Sequence, residues 1–420
     1  MPGAEYRICL DVTRLVSRVG RGALTGIDRV EYAYLTWCLH HHPTAIYLCR
    51  TTRGYLMLGI SGATVLVDLL DGRLPLGRAD MISRLYGKSG KPRHRAEAML
   101  RPHALARSLR GRLARMLVSE LPGRSVYLNV GHSNLSVRTL AAIARQPQMK
   151  LAVLVHDVIP LERPDVVVCG QPEAFGAMMA RVCDQADLII ANSQDTVAAL
   201  TRHATGWGRM PDTIVAHLGL PDPVAVHPPP PGVDLSHPYF VALGTIEPRK
   251  NHALLLDIWE ALLQELPEDR MPHLHIIGQP GWCNAALIKR LVTHPQRGQS
   301  LFDHGALPDT QVRGLLKGAH GLLFPSLIEG FGLPPLEALR EGCIPFCSDL
   351  PVMREVLGDS AVYLDPQDAY SWIETIKQRI AGDLVVPDTS KARLPDWQAH
   401  FTTVGASIDA LWQDRQKGSE

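Results

Sequence analysis

The sequence predicts an α/β protein made of two doubly wound units. At 420 residues the chain exceeds what one hydrophobic core usually supports, so two domains are expected. Short apolar runs alternate with helical patterns along nearly all of it, which gives mostly parallel sheets covered on both faces. Between the halves, Pro221-Asp222-Pro223 and the run from His227 through Pro228 to Pro231 and Gly232 form the clearest linker. Proline crowding favours an extended, semi-rigid spacer. The expected division is a Rossmann-like domain over 1–220, a spacer over 221–237 and a second Rossmann-like domain over 238–395.

Composition narrows the class. Hydrophobic residues make up 46% of the chain and the net charge is +1, which excludes a disordered or strongly polyionic protein. The 8 cysteines are scattered without paired metal spacing and read as reduced, buried small hydrophobes. The first residues lack the charged-then-apolar layout of a secretion signal. No apolar run reaches the ~18 residues of a membrane span. A cytoplasmic location is expected, where the sequon Asn134-Leu135-Ser136 is chance.

In the first half, a strand at 6–11 leads into a stretch rich in Gly and Arg, then a helix from about 27. Gly20, Gly22 and Gly26 come near a dinucleotide fingerprint but are one residue too wide at the last position. Further strands are expected at 45–49, 63–69, 125–130, 150–155, 187–191 and 213–216, with helices at 172–183 and 193–205. Within 78–118, 11 basic residues from Arg78 to Arg115 face only Asp80 and Glu97. Leu105, Leu109, Leu113 and Met116 fall among them at helical spacing, which describes a basic amphipathic helix. Such a helix either lies on an anionic membrane or packs, solvated, on its own domain. Few aromatics and no reader module speak against nucleic acid.

The second half starts with a strand at 239–243, followed by strands near 273–277, 300–303, 320–324, 344–347 and 361–364. Helices are expected between them at 252–266, 285–293, 308–317 and 334–341, and two more, at 369–381 and 396–415, close the chain. His40, His41 and His42 end a helix and read as surface.

One stretch organises the rest. An apolar run ends at Pro325, a loop carries Glu329, Gly330 and Gly332, and Pro334-Pro335 opens a helix that stops at Gly342. A glycine loop feeding a helix start suits an anion such as phosphate. Glu329 and Glu337 bracket that loop and, as carboxylates, are good acceptors for sugar and ribose hydroxyls. Together they suggest a sugar nucleotide. Glu329-Gly330-Phe331-Gly332-Leu333-Pro334-Pro335-Leu336-Glu337 resembles the E-x7-E motif of retaining glycosyltransferases of the GT-B fold, in particular family 4. Gly244-Thr245-Ile246-Glu247-Pro248-Arg249-Lys250-Asn251 resembles that family's diphosphate-binding segment. The two motifs stand in the right order, and the likeness covers most of 150–366.

The resemblance implies roles. Arg249 and Lys250 clamp the donor diphosphate beside Gly244 and Thr245, Glu337 accepts the ribose hydroxyls and Glu329 binds the transferred sugar. Amides of Phe331, Gly332 and Leu333, next to Gly330, contact the sugar or its phosphate. His156, delivered with Asp157 to a strand end, contacts the donor sugar, although the sequence does not assign it as a general base. Thr25, Gly26, Asp28 and Arg29 belong to a loop that faces the cleft or is plain surface. Glu162 to Asp165 and Gly131 to Asn134 line the acceptor side, and His217 stands at the start of the interdomain region. The last helix crosses back to the first domain.

No residue reads as a covalent nucleophile, so attack on the donor's front face with the leaving phosphate as base is implied. No metal and no cofactor are expected: an Asp-x-Asp segment is absent and no His/Asp/Glu cluster has ligand spacing. The implied function is transfer of a hexose to a growing, lipid-linked cell-surface glycan at the inner membrane face. The bacterial mannosyltransferase likeness of 245–251 favours GDP-mannose as donor; UDP-sugars and dTDP-rhamnose stay open. The alternatives are a nucleotide-sugar epimerase of the same fold, a non-catalytic sugar-nucleotide-binding subunit and, weakest, a dehydrogenase.

Overall fold

The computed structural model describes residues 6–81, 90–221, 228–230, 233–282 and 285–413. Arg84, Lys88, Cys283, Gly232 and the core of the expected linker, 222–227, lie outside the described residues.

Two sheets carry the molecule. The first joins β1 (Arg7–Asp11), β2 (Ile46–Arg50), β3 (Gly54–Leu58), β4 (Ala104–Leu109), β5 (Ser125–Asn129), β6 (Met149–Val155), β7 (Leu188–Ala191) and β8 (Asp212–Val215) in the order β4-β3-β2-β1-β5-β6-β7-β8. It is parallel except where β3 pairs antiparallel with β2 and β4. The second joins β9 (Tyr239–Leu243), β10 (His273–Ile277), β11 (Leu301–Asp303), β12 (Gly321–Phe324), β13 (Pro345–Ser348) and β14 (Val362–Leu364) in the order β11-β10-β9-β12-β13-β14. All its pairings are parallel. Helices cover both faces, so central strands such as β6 and β10 are buried nearly throughout and read as unbroken apolar runs. In the second sheet the strand order reverses between β9 and β12, and ligands of open α/β sheets bind at the carboxyl ends of such a switch.

Two expected elements are corrected. Residues 63–69 belong not to a strand but to the helix Ile60–Leu70, which buries Gly62, Ala63, Leu66, Val67 and Leu69. A short apolar run is ambiguous in period, and here the 3.6 spacing prevails. The basic amphipathic helix is also broken: 104–109 is the edge strand β4, with Leu105 and Leu109 exposed, while Leu113 and Met116 are buried in the separate helix Leu113–Glu120. A four-residue interval fits two pleats as well as one helical turn. Three cations of the segment bind their own domain: Arg95 donates to the Gly77 carbonyl (2.6 Å), the exposed Arg110 to the Thr52 carbonyl (2.8 Å), and Arg101 pairs with Asp80.

The helix Trp397–Ala410 packs on the first domain. Its Phe401 ring stacks on Trp37 at 4.5 Å, and Tyr34 donates to His400 Nε2 (2.7 Å). His400 Nδ1 then carries the hydrogen and donates to the His217 carbonyl (3.0 Å). Among the described residues the cysteines are free thiols, buried except for Cys169, which is exposed, contrary to the expectation for all of them.

Candidate active site

The loops that follow β9 and β12 meet at the switch point. After Gly244, the chain makes a short turn at Pro248–Lys250 and passes through Asn251 in the left-handed region (φ 55) into the helix His252–Glu265. This folds Arg249 and Lys250 back over the strand ends. Lys250 Nζ stands 4.4 Å above the Phe324 ring, and the Leu327 amide donates to the Arg249 carbonyl (2.7 Å).

Glu329 lies between the two cations. One oxygen takes the Lys250 ammonium and the other Arg249 Nη1 (3.1 Å), while Arg249 Nε reaches Glu247 (2.6 Å). Burial opposes ionisation of Glu329, but Lys250 and Arg249 overcome it and hold the carboxyl below its usual range. Burial likewise pushes Lys250 down, against the pull of Glu329. Two cations and two carboxylates leave the cluster electrically balanced.

The glycine loop seals the contact with the first domain. A Cβ on Gly330 would stand 2.4 Å from the His156 carbonyl oxygen, so only glycine permits this approach. The Gly330 carbonyl accepts from Ser193 Oγ (3.1 Å). Gly332, at φ 96, caps the helix Leu333–Arg340. Pro334 and Pro335 remove two N–H groups from that helix start, which leaves Phe331, Gly332 and Leu333 as the amides the loop can offer an anion.

Glu337 does not stand free. It pairs with Arg29 of the first domain (2.7 Å), which also holds Asp309 (2.6 Å), and burial raises its carboxyl above the usual value despite Arg29. Arg29 is thus the member of the expected cleft loop that reaches across. Asp28 is fully buried, paired with Arg14 (2.6 Å) and Arg18 (3.0 Å), and closes a capping box with Thr25, while Gly26 begins the helix Gly26–His41 at the surface.

His156 is buried and turned inward. Its Nε2 donates to the Val130 carbonyl (2.6 Å) and its ring meets His132 edge-on at 5.1 Å. Burial first, then His132, lower its pKa to about 3, so the ring is neutral. The neighbouring Asp157 feels Arg249 and, with Glu329, Thr196 and Leu327, lines a cleft of about 240 Å³ between the domains. Of the suggested acceptor-side residues, Asn134 points into the fold, donating to Asp11 (2.8 Å), and Glu162 holds Arg202 and His203.

Sequence reasoning missed three residues here. Glu247 completes the charge balance, Ser193 holds the loop, and Glu355 accepts from His217 (2.8 Å) and the Gln194 amide (2.7 Å) across the domains. Two carried a signal: Ser193 follows an apolar strand, and Glu247 stands in the 244–251 segment two residues before Arg249. Contrary to the expectation of no ligand cluster, Asp234, His237 and His273 bring ligand atoms within 4.8 Å of one another. His273 begins β10, so this group sits at the amino edge of the sheet, opposite Glu329.

Comparison with known proteins bears on the fold and on the second domain. Residues 227–389 match the family model described as glycosyl transferases group 1. The serotype-specific mannosyltransferase WbdA of Escherichia coli is 29% identical over 241 residues, 53% of this chain and 29% of that protein. The O-antigen chain mannosyltransferase B of Escherichia coli is 35% identical over 145 residues, 34% of this chain and 37% of that one. The chain therefore spans under a third of the length of the first of these relatives. Among solved structures, Anabaena HepE in complex with UDP aligns at TM-score 0.61 and 14% identity, covering 96% of this chain and 100% of that one. Sucrose-phosphate synthase from Thermosynechococcus elongatus aligns at 0.58 and 14%, covering 99% and 100%. Residues 227–389 are thus similar to the glycosyl transferases group 1 family, and the two facing doubly wound domains have the GT-B fold.

Proposed function

We propose that the chain is a retaining, metal-independent glycosyltransferase that moves a hexose, mannose in first place, from a nucleotide-diphosphate sugar to a growing, lipid-linked cell-surface glycan. The observation that carries this reading is the balanced cluster of Arg249, Lys250, Glu247 and Glu329 beside the glycine loop at the switch point. The mannosyltransferase names of the relatives favour mannose, hence GDP-mannose.

Donor binding exchanges partners. The diphosphate takes Arg249 and Lys250 partly from Glu329, which turns to the sugar hydroxyls, and the ribose hydroxyls take Glu337 from Arg29. The anomeric carbon–oxygen bond then breaks with its electron pair leaving on the diphosphate, which the two cations and the amides of Phe331, Gly332 and Leu333 stabilise. The acceptor oxygen bonds to the same face of that carbon, and its proton passes to the departing phosphate oxygen. Preorganised donors of this kind contribute about 10²–10³ in rate per group. The glycine loop pressed on His156 and Ser193 keeps water out.

The enzyme works at the cytoplasmic membrane face. Among the described residues no helix is long and apolar enough to cross a membrane. Exposed Leu105 and Leu109 flanking Arg107 on β4, followed by Arg112 and Arg115, supply an apolar and basic contact for an anionic surface.

Calorimetric titration of GDP, UDP, dTDP and NAD into wild type and Glu337→Ala tests the reading. One nucleoside diphosphate is expected to bind and the substitution to weaken it. Binding of none, or equal binding to both proteins, would overturn it. Incubation of the nucleotide sugar without acceptor should leave the sugar unepimerised.

A further inference from the structure

A second cationic site lies in the first domain. At the carboxyl end of β2, between the start of the helix Pro92–Leu100 and that of Val137–Ala144, a cavity of about 770 Å³ is lined, among the described residues, by seven Arg and Lys side chains and by no Asp or Glu. Two of them are engaged: Arg93 with Glu97 (3.1 Å) and the Arg50 carbonyl (2.8 Å), Arg110 with the Thr52 carbonyl (2.8 Å). The other five, Arg21, Arg50, Lys91, Arg138 and Arg181, have no carboxylate partner among the described residues. Arg181 moreover buries its Nε with no hydrogen-bond partner among the described residues.

The site opens on the same edge of the sheet as Asp157, because β2, β1, β5 and β6 are parallel neighbours and the lining residues follow β2 and β5 at their carboxyl ends. It therefore faces the cleft from the side opposite the Arg249 cluster. Five uncompensated cations repel one another, and a neutral sugar relieves none of that repulsion. Guanidinium forks match phosphate oxygens two at a time. The cavity is also wider than one phosphate needs.

We infer that this cavity is an anion site of the acceptor, taking the phosphate or diphosphate group through which the growing glycan is linked. The inference rests on the glycosyltransferase reading above and adds to it the chemistry by which the acceptor is held. The phosphate sits among Arg50, Arg138 and Arg181, and the sugar extends from it towards Asp157.

Calorimetric titration of inorganic pyrophosphate into wild type, Arg249→Ala and the double variant Arg50→Gln/Arg138→Gln tests this. Wild type should show two sites, of which Arg249→Ala loses one. The double variant should weaken the other roughly tenfold or more. Circular dichroism melts check that each variant is folded. A single site, abolished by Arg249→Ala and untouched by the double variant, overturns the inference. If GDP, UDP and dTDP all fail to bind while the cavity site titrates, the transferase reading falls and the anion site stands. Competition then identifies the source: a sugar on a short prenyl diphosphate should displace pyrophosphate from the cavity, and the same sugar as a neutral alkyl glycoside should not. Displacement by a free sugar phosphate but not by the prenyl diphosphate overturns the acceptor assignment.

Discussion

The two domains present cations at the carboxyl edges of their sheets in opposite electrical states. In the second domain Arg249 and Lys250 are matched by Glu247 and Glu329 within a buried cluster. In the first, five cations face a cavity with no carboxylate partner among the described residues. A balanced site is stable without ligand and binds by exchanging one anion for another. An unbalanced, solvated one keeps its mutual repulsion until an anion arrives. On the proposed reading, donor and acceptor meet sites of different character, one that holds a leaving group and one that captures an anchor.

Unbalancing the second domain should have the largest effect. Glu329→Ala leaves the buried Lys250 ammonium without its carboxylate, beside an Arg249 that keeps Glu247, and removing one partner of a buried pair costs about 3–5 kcal/mol. Urea unfolding should show that loss, and added nucleoside diphosphate should restore part of it by supplying the missing anion. Unchanged stability would mean that the cluster is hydrated and the contrast between the domains is false.

The seam between the domains comes next. Gly330→Ala places a methyl 2.4 Å from the His156 carbonyl oxygen, and overpacking of this sort costs about 1–3 kcal/mol. It should also open the cleft, which small-angle scattering would register as a larger radius. Arg29→Ala removes the bridge to Glu337 and Asp309. Arg29 is partly exposed, so the stability cost should stay within about 1 kcal/mol. By freeing Glu337 it should tighten nucleotide binding in calorimetry; weaker binding would mean that Arg29 touches the nucleotide instead. At the other extreme, Arg138→Gln in the unbalanced cavity should change stability by no more than about 0.5 kcal/mol.

The fold was legible because its signals are local and repeated. Strand β12, the glycine loop and the helix Leu333–Arg340 follow each other with punctuation that physics requires, down to Gly332 at φ 96. The failures have one cause: intervals of four residues, or runs of seven, serve either period, as in 63–69 and 104–109. At the site, Arg249, Lys250 and Glu329 come together because each follows a strand of one switch point. The bridge from Arg29 to Glu337 and the closeness of Asp234 to His273 depend on how the chain returns upon itself, which no short pattern records. Asp28 shows the converse: a charged residue in a glycine-rich loop, singled out for the cleft, is consumed by Arg14, Arg18 and its own helix cap.

The last prediction concerns acid pH and His156. Its Nε2 hydrogen is fixed on the Val130 carbonyl, so a further proton must go to Nδ1, and burial lowers the pKa to about 3. An unfolded histidine titrates near 6.5. The folded value is the lower one, so the unfolded chain binds the proton first. The contribution to stability is complete above about pH 6.5 and is lost as pH falls from there towards 3. Between pH 5 and 8, histidine NMR should show no titration of this ring, and His156→Gln should make acid unfolding shallower below about 6.5. A midpoint near that of a free histidine would place the ring in solvent, and the glycine loop that closes over its carbonyl would then have to stand open in solution.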